Sequence, residues 1–192
     1  MKASFLGCLV LFLSSQLLCV SLSAASTGTL TVRFGQTTED TFKVTHPEAV
    51  KVGFNQDLKG TIYKETPDNN QDKRPDIIFD SVNDAYILFD QNKHLIALQL
   101  RFKNDQFHIL SAILAKKYTT AIKKTSFIGS DYMEFYNEGV SIYLMDPFLF
   151  SSTSLFFIRT DVRNEILKTI PDGMLDDEIK VLNYLVRKSF RQ

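Results

Sequence analysis

Three histidines, His46, His94 and His108, are the side chains in this 192-residue sequence best suited to acid–base or metal chemistry. Their spacing argues against both. No two stand at H-x-x-x-H separation, so no helical face carries a pair of imidazoles. His46 precedes Pro47 in a predicted loop, His94 opens a strand after a turn, and His108 lies beside Phe107, off the apolar stripe of a predicted helix. Each reads as a surface or boundary histidine. A hydrolase would need His94 or His108 beside a carboxylate and a hydroxyl in an open cleft. The nucleophile motifs G-x-S-x-G and S-x-x-K are missing from the sequence, and Gly129-Ser130-Asp131 lacks the flanking glycine and reads as a turn. The sequence has neither a Walker loop nor a G-x-G-x-x-G.

Acidic residues come in two groups. Asp68, Asn70 and Asp72 imitate the start of a calcium loop, but Lys73 stands where the turn needs glycine and Phe79 where a bidentate glutamate belongs. The surrounding Thr66–Pro75 reads as a solvated loop. Asp172, Asp176, Asp177 and Glu178 could act as paired carboxylates. Their place at the start of a predicted helix over 174–190 explains them as complements to the helix dipole. Both cysteines, Cys8 and Cys19, fall in the first 25 residues. A chain that loses them has no disulfide, no thiolate nucleophile and no Cys-ligated metal. No cofactor and no metal are expected. Formal charge is zero, without the basic surplus of a nucleic-acid binder.

Recognition of a partner is the chemistry the sequence leaves open. In Asp146-Pro147-Phe148-Leu149-Phe150 a turn is followed by three large apolar residues and then by Ser151-Ser152-Thr153-Ser154. Phe148, Leu149 and Phe150 either form a protruding apolar tip that docks on a protein or lipid surface, or continue a strand into the core. Tyr132, Tyr136 and Tyr143 lie on neighbouring predicted strands. They line a groove or simply cover the sheet.

These residues must be positioned by an α+β scaffold. Ala85–Phe89, the turn Asp90-Gln91-Asn92-Lys93 and Leu95–Phe102 read as a hairpin. Leu98, Leu100 and Phe102 share one face with Ile96, while Ala97, Gln99 and Arg101 fall on the other, the pattern of a half-buried antiparallel strand. Asn104-Asp105 offers a cap, and Phe107, Leu110, Leu114 and Tyr118 recur at helical spacing. Before this unit, Thr29–Phe34 reads as a strand, Thr37 or Thr38 caps a short helix through Thr41–Val44, and Val50–Phe54 and Gly60–Lys64 read as strands. After it come strands at Thr119–Lys124, Phe127–Ile128, Tyr132–Tyr136, Val140–Leu144 and Ser154–Ile158. A helical turn or short helix over Asp161–Leu167 follows, and then the helix over 174–190, with Leu175, Ile179, Leu182 and Val186 on one stripe. The fold expected is one α+β domain over 26–192. Its sheet is mostly antiparallel, with a central and a C-terminal helix packed on it. The order hints at two related halves, 29–103 and 104–161, each a helix followed by a meander.

The first 25 residues read as a secretory signal. Lys2 is the positive n-region, Phe5–Val20 is largely apolar, and Ser23-Ala24-Ala25 suits cleavage. Interrupted by Ser14-Ser15-Gln16, the run is short for a membrane span. Cleavage leaves about 167 residues, enough for one substantial core. With 16 Phe and no Trp, aromatic usage points to core packing rather than a carbohydrate platform.

Phe34-Gly35-Gln36-Thr37-Thr38-Glu39-Asp40-Thr41-Phe42 resembles the Gly-x-Thr-x-x-apolar start of small periplasmic helix-plus-meander modules. These are of the outer-membrane-assembly lipoprotein and β-lactamase-inhibitor-protein type. In those families the Gly-Thr pair starts a helix that packs on an antiparallel sheet. The resemblance implies an envelope-located binding module and assigns no functional residue. The chain departs from the lipoprotein in having no lipobox at Cys19. The function expected is therefore a periplasmic or extracellular, non-enzymatic protein that binds another protein. The alternatives are a carrier of a small apolar or lipid ligand held between helix and sheet, and a secreted hydrolase.

Overall fold

The structure of the protein is a computed structural model. It describes residues 34–66, 82–125, 131–146 and 152–169, together with Val181, Tyr184, Leu185 and Phe190; for 120–125 it describes the backbone alone. Two units of the same plan follow one another. In the first, α1 (Glu39–Thr45) leads into β1 (Val50–Asn55), β2 (Gly60–Glu65), β3 (Val82–Phe89) and β4 (Leu95–Phe102). In the second, α2 (Phe107–Lys117) leads into β5 (Thr119–Thr125), β6 (Asp131–Asn137), β7 (Val140–Met145) and β8 (Ser154–Arg159). A third helix, α3 (Thr160–Thr169), follows directly.

Each unit is a meander, and the two join through their last strands. The sheet runs β1-β2-β3-β4-β8-β7-β6-β5, antiparallel throughout. Strands β4 and β8 therefore sit in the middle, while β1 and β5 form the edges. One face packs on α1 through Phe42 and on α2 through Phe107, Leu110 and Leu114. The other face packs on Ile166 of α3 and on Val181, Tyr184, Leu185 and Phe190. Because both faces are covered, the central strands are buried throughout. This corrects the half-buried reading of Leu95–Phe102, for Ala97 and Gln99 are covered like Leu98 and Leu100.

Local chemistry explains the ends of the helices. Thr38 caps α1 reciprocally: its hydroxyl accepts from the Thr41 N–H at 3.2 Å, and the Thr41 hydroxyl accepts from the Thr38 N–H at 3.1 Å. Two otherwise orphaned donors are thus satisfied. We expect Thr38→Ala to lower stability by about 1 kcal/mol, measured by urea denaturation. At α2 the cap position is Gln106 rather than Asn104 or Asp105, although the Asp105 carboxylate accepts from the Phe107 N–H at 2.9 Å. The predicted stripe of Phe107, Leu110, Leu114 and Tyr118 is buried. Phe34 lies in a turn and not in a strand, and Gly35 follows it at φ +75°. Val181 and Tyr184 are helical, and the remainder of the expected 174–190 helix lies outside the described residues. No helix among the described residues is long and apolar enough to cross a membrane.

Candidate functional site

With both faces of the sheet covered, its edges are the parts left open to a partner. At one edge lies β1, which among the described residues pairs with β2 on its inner side only. Val50 and Phe54 of this strand are 62% and 48% exposed, and Val44 of the preceding helix is 82% exposed. The other large apolar residues exposed among those described are Ile109 and Tyr136, so this surface is concentrated at 44–54. An edge strand offers a row of backbone N–H and C=O groups to an incoming strand. Here it also offers apolar side chains. The register slips between Lys51 and Gly53, a bulge that interrupts the strand at Val52.

Beyond the end of β1, a cleft of about 320 Å³ opens between two turns and α3. Asp57, Leu58 and Lys59 come from the β1–β2 turn and Asp90, Gln91 and Asn92 from the β3–β4 turn; Glu165, Ile166 and Thr169 of α3 and Tyr184 complete it. All three carboxylates have partners. Asp57 accepts from the Tyr184 hydroxyl at 3.3 Å, and Glu165 pairs with Lys168 at 2.6 Å. Asp90 accepts from the N–H groups of Asn92 and His94, both at 2.9 Å, and lies 3.8 Å from Arg159. Burial pushes the Tyr184 phenol up to about 12, so it stays a donor at neutral pH.

The histidines do not assemble an open catalytic site. His108 is exposed and stands edge-on to Phe107. His94 is partly buried at the start of β4, where its backbone N–H bonds Asp90. His46 is 5% exposed and stacks on Phe42 at 4.4 Å, a correction to its reading as a surface or boundary residue. Its position before Pro47 gave no hint that the helix end turns inward. His46 Nδ1 lies 2.8 Å from the Thr45 hydroxyl, and Nε2 lies 4.0 Å from the Glu65 carboxylate. This is a hydroxyl–imidazole–carboxylate array whose imidazole and carboxylate are buried, with Thr45 exposed at its outer end. The Thr45 hydroxyl donates to helix carbonyls, those of Thr41 and Phe42, which withholds its proton from the imidazole.

Tyr132, Tyr136 and Tyr143 share one face, the face under α3. In the β6–β7 register Glu134 lies opposite Tyr143 and Tyr136 opposite Ser141. Tyr132 and Tyr143 are buried beneath the covering elements, whereas Tyr136 is 40% exposed. Between them sits a group the sequence reading missed. Glu134 is 0% exposed, and its carboxylate lies 3.4 Å from Arg163 Nε. Arg163 Nε also donates to the Tyr143 hydroxyl at 2.6 Å. Neither Glu134 oxygen accepts a hydrogen bond of good geometry, and the buried Ser141 hydroxyl is likewise unsatisfied. Burial, reinforced by the Glu134 charge, holds the Tyr143 phenol far above its ordinary range. A glutamate alternating with tyrosines on one strand face was the available signal.

A second charged group ties α1 to the sheet. Glu39 accepts from the Tyr63 hydroxyl at 2.6 Å and pairs with Lys43 at 3.1 Å. Burial works to raise the Glu39 carboxyl, but Tyr63 and Lys43 outweigh it and hold the group below its ordinary 4.5. A carboxylate lowered in the folded state stabilises above its unfolded pKa, and that contribution is lost as pH falls through the folded value. Glu39→Gln should therefore flatten the loss of stability below pH 4.5, as read from urea midpoints across that range.

Phe148, Leu149 and Phe150, the Asp68–Asp72 loop and the acidic residues 172–178 lie outside the described residues. Among the described residues, no group of three or more His, Cys, Asp or Glu is placed to hold a metal ion. No protein family model, curated protein or solved structure matches the chain.

Proposed function

We propose that the chain is an exported, non-enzymatic protein of the bacterial envelope that binds a protein partner by taking an extended segment of it along β1. The observation that carries this reading is the exposure of Val50 and Phe54 on an open edge, in a sheet whose two faces are both covered. Strand addition uses such an edge: main-chain hydrogen bonds supply affinity and alternate side chains supply selectivity. Export to the periplasm or the medium rests on the sequence pattern of Lys2 and Phe5–Val20. Binding of a small apolar ligand between α2 and the sheet is the weaker reading. That interface is filled by Phe102, Phe107, Leu110 and Leu114, all of them buried.

The test is a photo-reactive residue placed at Phe54, or at Ile109 as a control, in the producing cell. We expect a discrete protein adduct from position 54, none from 109, and loss of the adduct when Val50→Asp is added. Because Val50 is exposed, that change should alter stability by only about 0.5 kcal/mol. Equal adducts from both positions, or an adduct that survives Val50→Asp, would overturn the reading.

A further inference from the structure

We propose that the segment bound by β1 lies antiparallel to it and carries, from its own N-terminus, the pattern apolar–small–acidic–apolar. The inference rests on the strand-addition reading of this edge and specifies its occupant. It follows from the register. Val50 lies opposite Lys64 and Lys51 opposite Tyr63; after the slip, Gly53 lies opposite Ile62 and Phe54 opposite Thr61. Residues that face each other across a sheet share a side. Tyr63 belongs to the core under α1 and Ile62 to the core on the other face. Lys51 and Phe54 therefore project on the α1 side. Val50 projects on the opposite side, as does Val52, which packs against that second core.

In a regular strand, residues four apart share a side. The extra residue of the bulge breaks that rule, and Val50 and Phe54 end on opposite sides. An unbulged partner strand alternates at every residue. Its residue opposite Val50 and its residue opposite Phe54 must therefore be three apart, both apolar and on opposite sides. Between them, the position opposite Lys51 suits an acidic side chain by charge, because opposite charges across a strand pair attract. The position opposite the bulge suits a small one, because the Val52 side chain already occupies that side, packed against the second core. Antiparallel orientation is assigned because it is the pairing used throughout this sheet and is the more stable per residue. Read in the partner's direction, the order is apolar opposite Phe54, small, acidic opposite Lys51, apolar opposite Val50.

The test uses the full chain and two fluorescent peptides of one composition, each about ten residues long. One carries Phe-Ser-Glu-Val at its centre, and the other carries the same residues as Phe-Glu-Val-Ser. Fluorescence anisotropy should give about tenfold tighter binding for the first, the sum expected from misplacing three cross-strand pairs. Lys51→Glu should weaken the first peptide and favour its counterpart with Lys in place of Glu. If both peptides bind equally and both are lost in Val50→Asp, the pattern is wrong and strand addition stands. If Lys51→Glu leaves the Glu and Lys peptides equal to each other, the pattern is likewise wrong. If neither peptide binds the native protein, the pattern and the strand-addition reading fall together.

Discussion

Replacing Arg163 with Leu is expected to destabilise the fold by about 3–5 kcal/mol, the usual result of leaving a buried charge without its partner. Arg163 stands on a helix that would otherwise look weakly attached, since Ile166 is the fully buried residue among those described on α3. Its side chain is 12% exposed, and its guanidinium faces Glu134, whose side chain has no exposure at all. Remove the cation, and the carboxylate is left fully buried with neither oxygen hydrogen-bonded. The same physics predicts a rescue. Attraction within a buried pair offsets little more than the cost of removing both ions from water, so an apolar pair of similar volume is often as stable. Glu134→Leu combined with Arg163→Met should recover most of the loss in urea or thermal unfolding. If Arg163→Leu costs under about 1 kcal/mol, the ion pair is not holding α3 on the sheet.

The second large effect is expected at Gly60, the first residue of β2. Two terms oppose each other in Gly60→Ala. The unfolded chain loses freedom, which favours the variant by about 0.4–1 kcal/mol where the native backbone suits alanine. Against that, the new Cβ would run into the Phe89 carbonyl oxygen and come within 2.9 Å of Leu88 Cδ1. The Leu88 methyl can rotate away. The Phe89 carbonyl belongs to the backbone of β3, which is registered against Thr61, and it can move only by disturbing that pairing. The clash wins, and a net loss of about 2 kcal/mol or more is expected. Gly139→Ala provides the contrast. Beyond its chain neighbours, no atom of the described residues lies within 4 Å of a Cβ there, so the cost is that of the positive φ of +77°, about 1–2 kcal/mol. Equal stability of Gly60→Ala and the native chain would mean that β2 and β3 are not this closely apposed.

Much of the fold was legible because periodicity is local. Leu95–Phe102 alternated, Phe107 to Tyr118 recurred at helical spacing, and Thr38 stood where a cap belongs; the structure places β4, α2 and α1 there. The repeated plan of a helix followed by a meander was also readable from element order. Coverage was not legible. Whether Ala97 faces water depends on Ile166 of α3 and on Val181, Tyr184, Leu185 and Phe190, which cover that face from more than sixty positions away. Glu134 was missed for the same reason: it is buried under α3, far along the chain, and stands in no motif, while the burial of His46, read as a surface or boundary residue, comes from its stacking on Phe42 and the approach of Glu65. The β1 edge was invisible for a further reason: Val50–Phe54 and Gly60–Lys64 read alike as short strands, and only the strand order separates an edge from an interior position.

The central claim is that β1 receives a partner strand, and hydrogen–deuterium exchange tests it most directly. The full chain is compared with and without a saturating peptide carrying Phe-Ser-Glu-Val at its centre. Slowed exchange confined to amides of residues 50–55, with β5 at the opposite edge unchanged, is the predicted result. Unchanged exchange in β1, or protection appearing instead at the turns 57–59 and 90–92 that line the cleft, would contradict it.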